Sequence, residues 1–209
     1  PGEDAAGLTV YGYGGFDIID MSYRAGDDTV DAGSGDDIVY VSYSDYASDV
    51  LLDGGAGTDT LFFTSTSSAI TYTLNTSPTT NFETVYASNG DDSLTGDTCD
   101  NRLVGYMGSD TLTGGAGDDE LYGDAGDANI AVFSGNLADY SVQWEDGNRD
   151  LALRVTDQVE DRDGTDSLRN IQILRFADGD LVLDTESNSS NIDVYDIGQS
   201  IEGTLPIGF

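Results

Sequence analysis

Aspartates recur along this chain at a fixed interval. Residues 87–122 divide into nonapeptides ASNGDDSLT, GDTCDNRLV, GYMGSDTLT and GGAGDDELY. Their sixth position holds Asp92, Asn101, Asp110 and Asp119, and their eighth holds Leu94, Leu103, Leu112 and Leu121. Upstream the same two columns carry Asp17 and Ile19, Asp28 and Val30, Asp37 and Val39, and Asp59 and Leu61. Two units break the sixth column. Unit 45–53 has Val50 there and keeps Leu52 at the eighth position; unit 123–131 has Ala128 there and keeps Ile130. Glycines gather at the first, second and fourth positions, among them Gly33, Gly35, Gly54, Gly57, Gly105, Gly108, Gly114 and Gly117. Glycine permits positive φ, so such a turn can be tight and can aim its carbonyls inward. The chemistry on offer is therefore hard oxygen: backbone carbonyls plus short carboxylates. That set suits Ca²⁺, which takes 6–8 oxygens, better than Mg²⁺, which keeps waters and demands strict octahedral geometry.

Each nonapeptide has room for one turn and one very short strand, with the eighth residue pointing inward. Two units then make one coil, and turns 18 residues apart stack. The architecture this predicts is all-β, a flattened parallel solenoid with cation sites between stacked turns. The spacing pairs Asp92 with Asp110 and Asn101 with Asp119. It also pairs Asp37 with Asp59, across an insertion.

Composition sharpens the reading. The chain has 209 residues with 40 acids, 33 of them Asp and 7 Glu, against 7 cations, all Arg, for a net charge of −33. A nucleic-acid binder needs cations, so that class is excluded. With no His, zinc sites with His ligands and His acid–base chemistry are excluded. The lone Cys99 allows no internal disulfide. No apolar run approaches the roughly 18 residues of a membrane-spanning helix. No signal peptide is visible and the chain opens inside the pattern, which reads as an excised fragment. One buried Leu contributes about 1.5–3 kcal/mol. Ordering nine residues costs at least about 9 kcal/mol of backbone entropy. The apo chain is thus expected to need a ligand that binds only the folded turns.

The units resemble the GGxGxDxUx nonapeptides of RTX (repeats-in-toxin, haemolysin-type) proteins over roughly residues 10–131. That resemblance implies a calcium-bound parallel β-roll holding several Ca²⁺ ions. It puts Asp17, Asp28, Asp37, Asp59, Asp92, Asp110 and Asp119 in the ligand column, Asn101 there with a neutral oxygen, and the glycine-turn carbonyls around them. It further implies export by a type I secretion apparatus of a Gram-negative bacterium, and a place outside the cell or on its surface. The function implied is a non-catalytic module, disordered without calcium, that folds after secretion. The alternatives are a ligand-binding adhesin segment, with a carbohydrate or cell-surface partner, and the tail of a secreted protease, lipase or peroxidase.

The organisation expected is a roll over 1–131, a β-rich cap over 132–184 and a tail over 185–209. An interruption without calcium falls at about 63–86, with Ile70, Tyr72 and Val85 in the core. In the cap, Tyr140, Val142, Trp144 and Leu151, Leu153, Val155 alternate about a hairpin loop. Five Arg there (149, 154, 162, 169, 175) can pair with acids without calcium. Asp161, Asp163 and Asp166 around Gly164 lack the rest of an EF-hand series and read as a solvated turn. Paired acids such as Asp27/Asp28 and Asp118/Asp119 read as a ligand plus an outward neighbour, not as glycosidase acids. Threonine pairs (64 and 66, 71 and 73, 111 and 113) are expected not to align between coils, which leaves β-propensity as their role. Tyr11, Tyr40, Phe62, Tyr86 and Tyr122 fall at outward ninth positions, a face for a sugar or partner or for packing by the C-terminal block.

Overall fold

The computed structural model describes residues 7–24, 26–64, 67–77, 79–126, 128–145, 152–183 and 195–196. Thr66, Arg149, Leu151 and the tail apart from Tyr195–Asp196 lie outside them. The strands in the repeat region are β1 (Thr9–Tyr11), β2 (Ile18–Asp20), β3 (Thr29–Asp31), β4 (Ile38–Val41), β5 (Leu51–Asp53), β6 (Thr60–Phe63), β7 (Thr71–Thr73), β8 (Thr79–Thr80), β9 (Thr84–Tyr86), β10 (Ser93–Thr95), β11 (Arg102–Val104), β12 (Thr111–Thr113), β13 (Glu120–Tyr122) and β14 (Ile130–Val132). After them come β15 (Tyr140–Trp144), β16 (Leu153–Asp157), β17 (Thr165–Arg169), β18 (Ile173–Phe176), β19 (Gly179–Val182) and β20 (Tyr195–Asp196). No α-helix occurs among the described residues.

The chain coils as a β-solenoid because a three-residue strand cannot bury anything alone. It must stack on a copy of itself. One face is a single nine-stranded sheet, in the order β15-β16-β17-β13-β11-β9-β6-β4-β2. The opposite face is split into a four-stranded sheet, β1-β3-β5-β8, and a seven-stranded sheet, β20-β19-β18-β14-β12-β10-β7. The split falls in the interrupted stretch: β8 pairs back to β5, while β7 pairs forward to β10. All pairings from β1 to β14 are parallel and in register. Ile19, Val39, Leu61, Val85, Leu103 and Leu121 stack in one inward column, and Tyr72, Leu94 and Leu112 in another. Ile70, Tyr72 and Val85 are all buried, as the sequence led one to expect.

The second column shows a shift. β14 aligns Ala131, not Ile130, with Leu112, and Ala131 is fully buried while Ile130 faces outward. The turn before it is one residue longer than a nonapeptide allows, so reading Ile130 as the inward residue was off by one. The threonines also differ from expectation. Thr71, Ser93 and Thr111 are in register, as are Thr73, Thr95 and Thr113, so hydroxyls do line up across three coils.

The solenoid runs on past 131. β17 pairs parallel to β13, and β18 parallel to β14. Before them in the chain, β15 and β16 form an antiparallel hairpin that packs on the far side of β17, and β19 folds back on β18. On the outer face of the nine-stranded sheet, the Tyr40, Phe62 and Tyr86 rings follow one another with centroids 4.9 and 5.2 Å apart, and Tyr106 closes on Tyr86 at 5.7 Å. These rings spend their faces on one another, as cross-strand aromatic neighbours do.

The register makes a direct prediction. Leu112→Ala should cost about 2–5 kcal/mol of stability, because it opens a cavity in the inward column. Ile130→Ala should cost less than about 1 kcal/mol. Urea denaturation in saturating calcium distinguishes the two; equal losses would contradict the one-residue shift.

Candidate metal sites

The sixth-position side chains form ladders along the two edges of the solenoid. In each rung a backbone N–H of one coil donates to a carboxylate or amide oxygen of the next. On the edge of the nine-stranded sheet, Asp17 N–H donates to Asp37 Oδ1 (2.8 Å), Asp37 N–H to Asp59 Oδ1 (2.8 Å) and Asp59 N–H to Glu83 Oε2 (2.8 Å). Further along, Asn101 N–H donates to Asp119 Oδ1 (2.7 Å) and Asp119 N–H to Asp166 Oδ1 (3.0 Å). On the other edge, Leu8 donates to Asp28 (2.7 Å), and Asp28 to Asp49 (3.3 Å). Beyond the split, Ile70 donates to Asp92 (2.7 Å), Asp92 to Asp110 (2.9 Å), Asp110 to Asn129 (2.9 Å) and Asn129 to Gln172 Oε1 (2.8 Å). The spacing-derived pairs Asp92–Asp110, Asn101–Asp119 and Asp37–Asp59 are thus adjacent rungs. Glu83 and Asn101 are not joined this way; the Asn101 amide oxygen accepts Asp97 N–H instead.

A second ladder runs the opposite way. The fifth-position acids Asp36, Asp91, Asp100 and Asp118 each accept the N–H of the fifth residue one coil on: Thr58, Ser109, Asp118 and Thr165, at 2.8–2.9 Å. The outward neighbours in the paired acids therefore hold coils together.

One oxygen of each carboxylate closes the ladder. The other is the chemically informative one. Oδ2 of Asp17, Asp37, Asp59, Asp110 and Asp119 is buried with no hydrogen-bond partner. A buried polar atom without a partner carries its full desolvation penalty, so it demands an explanation. The remaining predicted positions are closed by protein groups. Asp92 accepts from Ser88 N–H and hydroxyl, Asp28 faces Arg24 Nε at 3.5 Å, and Asn101 bonds Asp97.

The glycines fall into two sets. Gly33, Gly35, Gly57, Gly108 and Gly117 take positive φ, and each lies under a carbonyl of the preceding coil: those of Tyr13, Gly15, Gly35, Gly90 and Cys99. Gly54, Gly105 and Gly114 lie against the ligand-column carboxyl of their own turn. A Cβ at Gly105 would occupy the space beside Asp110 Oδ2, and one at Gly114 the space beside Asp119 Oδ2. Among the described residues no three Asp, Glu, Cys or His side chains converge on one point. Each gap thus offers few carboxylates, and the rest of a shell must come from turn carbonyls. Unpartnered anionic oxygens, carbonyls aimed across the gap and space kept free of Cβ atoms together fit calcium.

Several column members were not legible in the motif. Asp49 and Asn129 take the places of the mismatched Val50 and Ala128, each from one residue away. Glu83 does so inside the interruption. Asp166 and Gln172 extend the columns beyond the repeats. The solvated turn expected at 161–166 is not what the structure shows: Asp163 and Asp166 are buried, and only Asp161 is exposed. Asp163 is held by Ser134 and the Tyr140 hydroxyl, and Arg162 by Asp157 and Asp139. Arg162 is a cation paired without metal, as expected for the Arg of this block.

Comparison with known proteins agrees with this geometry. The model of the RTX calcium-binding nonapeptide repeat matches in four copies, over residues 24–42, 45–65, 79–112 and 104–127. The matched segments are similar to RTX calcium-binding nonapeptide repeats, and they fold here as a parallel β-roll. No curated protein matches the chain.

Burial raises the carboxyl pKa of Asp59 and Asp110 to about 6, of Asp119 to about 7 and of Asp166 to about 8, and neighbouring acids add to each rise. The metal-free fold therefore holds more protons than the unfolded chain. The stability these carboxyls contribute is fullest below about pH 4 and is lost as pH rises through about 6–8. Calcium binds the deprotonated carboxylates, so its affinity should run the other way. The calcium midpoint for folding should be higher at about pH 5.5 than at about pH 8, by circular dichroism in matched ionic strength. A midpoint independent of pH would contradict the burial of these carboxylates.

Proposed function

We propose that this chain is a calcium-dependent folding and stabilisation module of a secreted RTX protein. The observation that carries the reading is the set of five buried carboxylate oxygens without a hydrogen-bond partner, in a chain of net charge −33. At low cytoplasmic calcium these oxygens repel one another and cost desolvation, so the chain stays unfolded and can pass a type I secretion apparatus. Outside, where extracellular calcium modules operate at about 10⁻⁴–10⁻³ M, several Ca²⁺ ions fill the gaps and the coils close. The module itself is non-catalytic: its acid pairs serve as ladder rungs. Export, the Gram-negative host and the extracellular location rest on the kinship with RTX repeats. So does the proposal that calcium is the ion these turns take.

The test is a circular dichroism titration. In chelator the spectrum should be mostly coil; with millimolar Ca²⁺ it should become β. Mg²⁺ and molar NaCl should not substitute, since screening acts on all charges alike while the turns offer specific oxygen cages. A fully folded spectrum in chelator, or the same fold in NaCl alone, would refute the reading.

A further inference from the structure

We infer that residues 161–169, DRDGTDSLR, are one more metal-binding unit of the roll, and that Asp166 and Asp119 share a calcium site across the junction with turn 114–119. The inference rests on the calcium reading above. The matched repeat segments end at residue 127, so they assign nothing here. Sequence separation hides the unit: Asp119 and Asp166 are 47 residues apart, with the β15–β16 hairpin inserted between them.

Four observations place this unit in the same lattice. β17 continues the parallel register, with Glu120 opposite Ser167, Leu121 opposite Leu168 and Tyr122 opposite Arg169. Both ladders cross the junction: Asp119 N–H donates to Asp166 Oδ1 at 3.0 Å, and Thr165 N–H donates to Asp118 Oδ1 at 2.8 Å. Gly164 holds the fourth position with φ +73°, directly under the Gly117 carbonyl, where any Cβ would collide. Asp166 is 2% exposed, and Asp119, 1% exposed, has a buried Oδ2 with no hydrogen-bond partner.

Charge completes the argument. Among the described residues no Arg pairs with Asp118, Asp119 or Asp166. Arg162, in the same turn, is engaged by Asp157 and Asp139. Two stacked buried carboxylates without a cation are strongly unfavourable. The opposite edge supplies an internal contrast. There the same junction is made by Asn129 and Gln172, both neutral, with Asn129 N–H donating to Gln172 Oε1. Negative charge persists across the junction on one edge only, and that is the edge where a divalent cation has carbonyls and carboxylates to meet.

The experiment counts bound calcium by equilibrium dialysis in the full chain and in two variants. Asp166→Asn keeps an oxygen for the Asp119 N–H but removes the charge. It should bind one ion fewer and fold at a higher calcium midpoint. Glu160→Gln, exposed and just outside the unit, should keep the natural count. An unchanged count in Asp166→Asn would overturn the junction site, whereas a natural chain that binds no calcium would overturn the broader reading instead. A calcium anomalous difference map of the natural chain covers the case of a variant that fails to fold. It should show a peak between Asp119 and Asp166 and none between Asn129 and Gln172. No peak at the Asp119–Asp166 junction would likewise refute the proposal.

Discussion

One interaction recurs through this structure: a carboxylate or amide oxygen of one coil accepts the backbone N–H of the coil before it. It comes from a residue two positions ahead of the inward aliphatic, so it sits where the turn hands over to the strand. Parallel strand pairing holds successive coils about 4.8 Å apart, and the side chain bridges that fixed distance. The side chain is short by necessity. An aspartate spans the gap whether the rungs are 18, 22 or 47 residues apart along the chain, as at Asp92–Asp110, Asp37–Asp59 and Asp119–Asp166, and a glutamate does so at Asp59–Glu83. The preponderance of Asp over Glu follows from this geometry more directly than from any need for surface charge.

The same interaction creates the functional problem. Using one oxygen for the ladder holds the other in the interior. A ladder built from Asn or Gln would close without that cost, and at Asn129 and Gln172 the protein does build it so. Retaining aspartate at positions 17, 37, 59, 110 and 119 leaves oxygens that nothing in the described protein satisfies. Structure and charge are therefore coupled: closing the coils buries those oxygens, and on the reading proposed above a bound cation offsets that cost. On that reading, conditional folding is a property of the backbone geometry.

Much of this was legible in the sequence, because a repeat states its columns many times over. The inward aliphatics and the ligand column through residues 87–122 could be placed from the interval alone. What could not be read depended on positions where the interval slips. A one-residue lengthening of the turn before β14 exchanges Ile130 for Ala131 in the core and Ala128 for Asn129 in the ladder. At Val50 the neighbouring Asp49 turns in from the end of a short 3₁₀ segment. The hydroxyl rows of β7, β10 and β12 were missed because the segments they come from have different lengths between strands, although the strands themselves align. Asp166 was hidden by a hairpin that leaves the solenoid and returns to it. In each case a local motif is counted along the chain, whereas the lattice is counted across coils.

The most direct test is a crystal structure of the calcium-saturated protein with anomalous difference maps. The account predicts calcium peaks within about 2.3–2.6 Å of Oδ2 of Asp17, Asp37, Asp59, Asp110 and Asp119, each completed by turn carbonyls. It predicts no peak at the Asn129–Gln172 junction. Ordered waters in place of anomalous peaks at those five oxygens would contradict it.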